Sequence, residues 1–141
     1  MSRIARIACA LTIMIVPACA SAMSGSVSAP VAQMRTTNTG QPIAVPAHPT
    51  VIVSQTTLAP GGRTPTHKHP YPHYVYVLEG TLTVVDEDSG RTFVTGKNGF
   101  FAEMVDTWHH GENRGTTPVR ILAIDQVPEG TTRNMIMKPG Q

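Results

Sequence analysis

The hydrophobic and polar positions of this chain fall into three regimes. Ile7 to Val16 is an almost unbroken apolar run, preceded by Arg3 and Arg6 and followed by the small residues Ala20-Ser21-Ala22. Residues 23 to about 48 are rich in Ser, Ala, Thr, Gly and Pro, show no periodicity, and predict a disordered lead-in. Beyond them come short β-branched or alternating runs: Val51-Ile52-Val53 with Thr56-Thr57-Leu58, Tyr74 to Leu78, Thr81 to Val85, Arg91 to Thr95, Phe100 to Ala102, and Val119 to Ile124. Pro60-Gly61-Gly62, Glu79-Gly80, Asp86 to Gly90 and Gly96-Lys97-Asn98-Gly99 separate them as turns. Nowhere does an apolar stripe at helical spacing last three turns. Strands of about five residues between closely spaced turn formers predict an all-β antiparallel sandwich or barrel. The domain is expected over 49–128, with 129–141 as a C-terminal tail or arm.

The first regime has the succession of a secretory signal: basic n-region, short apolar h-region and A-x-A end. Its run is short for a membrane span, which needs about 20 apolar residues. Residues 1–22 are therefore read as a signal peptide, with the mature protein periplasmic or secreted. A retained anchor and a lipoprotein signal ending at Cys19 are the alternatives. Val16-Pro17-Ala18-Cys19 resembles a lipobox only loosely, because of its proline.

Cleavage changes the composition. Cys9 and Cys19 leave with the signal, so disulfides, thiolate ligands and a cysteine nucleophile are excluded from the mature chain. Losing Arg3 and Arg6 takes the eleven Lys+Arg down to nine, equal to the nine Asp+Glu. A neutral protein carries no electrostatic footprint for nucleic acid or, after signal cleavage, for a membrane. What is left, 119 of the 141 residues, is enough for one domain with its own core.

Histidines then carry the chemistry. Four of the six fall in a pattern, Gly61-x5-His67-x-His69-x3-His73-x6-Gly80, followed by His109-x3-Asn113. Residues i and i+2 of a strand share a face, so His67 and His69 point into one pocket. Pro70-Tyr71-Pro72 bends the chain before His73, and His109 starts a later strand able to pass alongside. Imidazoles converging from separated segments suit a divalent first-row transition metal such as Mn, Fe, Co, Ni, Cu or Zn. The missing thiolates speak against a structural zinc site.

These residues resemble the cupin superfamily. His67 to Gly80 is similar to its first motif, G-x5-H-x-H-x3,4-E-x6-G, and His109 to Asn113 to the end of its second, G-x5-P-x-G-x2-H-x3-N. The likeness runs from about Val51 to Val127. It implies a small cupin-type antiparallel β-barrel (double-stranded β-helix or jelly roll). Where the family has glutamate this chain has His73, as in the four-histidine subgroup, in which manganese and other divalent ions are found. The implied ligands are His67, His69, His73 and His109. Met104 and Asp106 replace the second motif's proline and glycine, so the turn before His109 is expected to differ.

Alternation sends His110 to the face opposite His109, and turns Val75 and Val77 inward and Tyr74 and Tyr76 outward. His48 is taken as exposed. Glu103 is open between a fifth ligand, a general base and a rim carboxylate, the last being preferred. Asn113 falls on the ligand side and is expected to hold a ligand in place. The leading functional expectation is an exported, metal-dependent, dioxygenase-like oxidoreductase acting on a small organic substrate. The alternative is a non-catalytic module binding a metal or small ligand. A homodimer is expected, because outward Tyr74 and Tyr76 leave an apolar face.

Overall fold

A computed structural model describes residues 25–140. The signal-like segment 1–22 and both cysteines lie outside the described residues, and so does the expectation attached to them. The β-branched runs form strands β1 (Thr50–Leu58), β3 (His73–Glu79), β4 (Thr81–Asp86), β5 (Thr92–Gly96), β6 (Phe100–Ala102) and β8 (Val119–Val127). Between them lie the short strands β2 (His67–Lys68), β7 (His109–Glu112) and β9 (Ile136–Met137). No helix occurs among the described residues.

Two antiparallel sheets result, ordered β1-β8-β3-β6 and β5-β4-β7-β2-β9. They face each other without closing, so the expected barrel is an open jelly-roll sandwich. The edge strands β1 and β6 of one sheet have no ladder to β5 and β9 of the other.

Register builds a gradient along the interior. Val77 lies opposite Ile121, Val75 opposite Ala123 and His73 opposite Asp125. The inner face is therefore apolar at one end and titratable at the other. The apolar end joins Leu58, Val75, Val77, Leu82, Val84, Met104 and Val119 into one buried core, with Phe93, Phe101 and Ile121 packed against it. Val75 and Val77 are buried as alternation requires. Half-buried Tyr74 and Tyr76 occupy the opposite face; the Tyr74 ring stacks on Phe100 with centroids 6.2 Å apart.

Three local features go beyond what the local pattern shows. Residues 36–43, within the expected disordered lead-in, dock on the sandwich. Asn38 N donates to Ala102 O at 2.9 Å, and the Gln41 side-chain amide both donates to and accepts from the backbone of Val105 (3.0 and 2.9 Å). Such polar, main-chain docking leaves no hydrophobic period to read. Of the two alternatives for the C-terminal stretch, tail or arm, it takes the arm: β9 pairs with β2 through His67↔Met137 and Lys68↔Ile136. Finally, Asp106 takes φ 53°, the left-handed region that favours glycine and that Asp tolerates. The turn before His109 thus keeps a glycine-like backbone without glycine.

Candidate metal centre

The site forms where the polar ends of both sheets meet. In one sheet His67 on β2 lies opposite His109 on β7. His69 follows just beyond β2, held by a parallel bridge to Val105. After the Pro70-Tyr71-Pro72 bend the chain crosses to the other sheet, where His73 heads β3. Glu103 comes from the end of β6, its N–H donating to His73 O at 2.9 Å.

The ligand atoms of His67, His69, His109 and Glu103 all lie within 4.8 Å of one another, and all four side chains are buried. His69, His73 and Asp125 form a second, overlapping group within the same limit. The His69 and His73 rings stack in parallel, 3.9 Å between centroids. Two donors about 2.1 Å from one ion stand roughly 3–4 Å apart, so the first group has the dimensions of a coordination shell.

Each imidazole is held by the same nitrogen. Nδ1–H donates to Pro65 O in His67 (2.7 Å), to Thr107 O in His109 (2.8 Å), to Asp125 Oδ1 in His73 (2.7 Å), and to Asn134 O in His69. An acceptor at Nδ1 fixes the tautomer that offers Nε2 to a metal. His69 Nε2 lies 3.2 Å from Glu103 Oε2 but is not aligned on it, and is buried with no hydrogen-bond partner. An orphaned buried nitrogen is costly unless something unseen binds it. His109 Nε2 also meets Glu103 Oε2, at 2.9 Å, so both of its nitrogens face oxygens. With Nδ1–H given to Thr107 O, the contact between Nε2 and the carboxylate needs a proton or a cation between them, and a divalent ion meets that need. On both counts the residues fit a metal ion.

The electrostatics agree. Burial pushes the His67 imidazole down to about 4, only partly offset by its bond to Pro65, so the ring is neutral at neutral pH, the form that can ligate a metal. Burial likewise lowers His69. For His73 and His109 burial also opposes charging, but the hydrogen bonds to Asp125 and Glu103 outweigh it and raise both. Burial would push the Glu103 carboxyl up; the His109 hydrogen bond, the adjacent His69 ring and the charges of His109 and His73 hold it well below the usual range. Glu103 is therefore a buried carboxylate of the centre, and the preference for a rim residue is corrected. From sequence only the end of a short strand was visible.

His110 takes the opposite face, its Nδ1 2.6 Å from Glu87 Oε1. Asn113 does not hold a ligand. It is buried, donates to Leu58 O and Thr117 O (3.1 and 2.8 Å) and accepts from Gly115 N, pinning a turn. Two residues went unread in the sequence. Asp125 did leave a signal, as an acid in the inward series Val119, Ile121, Ala123, Asp125. Asn134 left none.

Beside the imidazoles opens a cavity of about 330 Å³. Ile52, Leu58, Leu82, Ile121 and Ala123 make its apolar wall, and the arm residues Thr132 to Met135 complete its lining.

The family profile of the cupin domain matches residues 54–125. Among curated proteins none matches. Of solved structures, the polyketide cyclase RemF from Streptomyces resistomycificus is 26% identical over 66% of this chain and 65% of its own, with TM-score 0.51. An oxalate decarboxylase from Lactobacillus farciminis is 23% identical over 62% of this chain and 26% of its own, TM-score 0.54. A protein with a double-stranded beta-helix domain from Klebsiella pneumoniae subsp. pneumoniae is 15% identical over 62% and 73%, TM-score 0.52. The last two likenesses concern the fold alone, and this chain spans just under two thirds of the cyclase. With half of its length matched by the family profile and its histidines at the motif positions, this chain belongs to the cupin family.

Proposed function

We propose that this protein is a metal-dependent enzyme that holds one divalent first-row ion through His67, His69, His73 and His109 and oxidises a small organic substrate with dioxygen. The observation that carries the reading is the tethering of each ring at Nδ1, with His67, His69 and His109 gathered within 4.8 Å around Glu103 and His73 stacked on His69. Such an ion supplies Lewis-acid and redox chemistry at a substrate oxygen. The chain's own residues do the rest. Glu103, ionised and buried against His109 and His69, supplies a proton acceptor beside that position. The apolar wall excludes water and selects a substrate with oxygen donors at one end and a hydrocarbon body at the other. The mature protein would act in the periplasm or outside the cell, after cleavage before Met23. Intact mass of exported protein checks this; a periplasmic species starting at Met1 refutes it, and a lipid on Cys19 promotes the lipoprotein alternative.

A second reading, favoured by the likeness to the polyketide cyclase, is ring closure of an oxygen-rich substrate without dioxygen. Elemental analysis of the purified protein, then oxygen uptake against phenols and diketones, separates the readings. Uptake with about one ion per chain supports oxidation. Substrate loss without uptake supports cyclisation. Bound ion and ligand with no turnover of any panel member leave a non-catalytic binding module. A protein without an ion after growth in supplemented medium overturns the proposal.

A further inference from the structure

The C-terminal arm lies outside the stretch that matches the family, yet it enters the site. Its anchor is Asn134, only 4% exposed. The Asn134 main-chain oxygen accepts the His69 Nδ1–H. Its side-chain Nδ2 donates to Asp125 Oδ1 at 2.6 Å, to Tyr71 O at 3.0 Å and to Pro72 O at 3.4 Å. Its Oδ1 accepts from Tyr71 N at 3.1 Å. Three acceptors around one end and an N–H at the other leave no choice of amide orientation. Asp125 Oδ1 in turn accepts the His73 Nδ1–H at 2.7 Å.

One residue therefore reaches two imidazoles by two routes, its backbone to His69 and its side chain through Asp125 to His73. The stacked pair of rings is clamped from one side by a segment more than 60 residues away in sequence. The arm is held along the strand that carries His67, by the β2–β9 pairs and by Lys138 N donating to Thr66 O at 3.0 Å.

We infer that Asn134 is a positioning residue of the metal centre, acting through Asp125 on His73 and through its own carbonyl on His69. This rests on the metal reading above only for its consequence, the affinity; the aim of the two rings is a property of the metal-free protein. The backbone route survives side-chain substitution, so the side-chain route is the one open to test. Losing a hydrogen bond that orients a ligand typically costs 10–100-fold in metal affinity.

The test uses the full mature chain and Mn²⁺ as probe. Asn134→Ala is expected to weaken Mn²⁺ binding 10–100-fold, and Asp125→Ala to weaken it comparably. Because Asn134 acts on His73 through Asp125, the double variant is expected to bind no more weakly than Asp125→Ala alone, whereas a mere loosening of the arm would add its own cost. In metal-free protein the imidazole ¹⁵N resonances of His73 should move in Asn134→Ala, while those of His109, tethered to Thr107 O, stay. If Asn134→Ala fails to fold by circular dichroism, Asn134→Ser is read in its place by the same two measurements. Mn²⁺ affinity within twofold of wild type together with unmoved His73 resonances, or a double variant whose loss is the product of the two single losses, overturns the inference. If wild-type chain binds neither Mn²⁺ nor Co²⁺, the metal reading falls, and the ¹⁵N resonances alone still decide whether Asn134 sets His73.

Discussion

His109 and His110 are adjacent on β7 and point to opposite faces, so exchanging one for the other in an experiment tests the register of the whole centre. His110→Ala removes a side chain that is 8% exposed, bonded to Glu87 and 3.6 Å from Glu112. Both carboxylates stay in contact with water, at 28% and 21% exposure, and can rehydrate. The cost is then that of one charge-assisted hydrogen bond plus modest packing, about 1–2 kcal/mol, or roughly 4–8 °C in Tm. Metal stoichiometry is expected to remain near one per chain. His109→Ala deletes a fully buried ring and leaves the Glu103 carboxylate without its 2.9 Å donor. An uncompensated buried charge costs about 3–5 kcal/mol, and a ligand nitrogen goes with it. His109→Gln, which can still donate to Glu103, separates the loss of the ligand from the loss of the fold. Elemental analysis after growth in one metal supply, with thermal melts of the same samples, reads both effects. Should His110→Ala lose the metal while His109→Gln keeps it, the register is wrong by one residue and the centre with it.

Gly80 sits at φ 74°, and an added Cβ would lie 2.5 Å from Pro118 O and 3.1 Å from Val119 Cα. Gly80→Ala is expected to cost about 2–4 kcal/mol, seen as a lower urea midpoint with an unchanged slope. A wild-type midpoint would refute the strain argument. Burial opposes ionisation of Asp86, but the Ser89 hydroxyl and the N–H groups of Ser89 and Asp88 outweigh it and hold the carboxyl below its usual value. A depressed folded pKa gives stability that is complete above the unfolded value of about 4 and lost as pH falls through the folded one. Asp86→Asn should therefore be less stable at pH 7 and show a shallower loss of stability below about pH 4; equal slopes in urea titrations from pH 2 to 7 would contradict this. His73→Glu restores the commoner family residue but faces Asp125, whose Oδ1 is 2.7 Å from His73 Nδ1. Metal content should be retained only when Asp125→Asn accompanies it. The chain should form a homodimer through the face bearing Tyr74 and Tyr76, and a light-scattering mass of one chain across micromolar concentrations would exclude it.

The all-β class, most strand positions and the histidine motif were legible from local rules. Alternation over His73, Val75 and Val77 fixed which side chains turn inward, and i,i+2 spacing paired His67 with His69, because both follow from locally extended backbone, which runs from β2 through the His69 bridge. The glycine-like turn at Asp106 was not legible, since Asp can reach the left-handed region and its residue type does not say whether it does. Glu103, Asp125 and Asn134 belong to a different category. Their roles depend on antiparallel register between β3 and β8, on where a three-residue strand ends, and on an arm returning from the end of the chain. Those are contacts between residues 6 to 65 positions apart. No period or motif encodes them, because a strand's pattern specifies a face and not its partner. The sequence by itself determined the kind of fold and the imidazoles available to it. Only the tertiary structure decided which carboxylates stand beside them, and which nitrogen each ring presents.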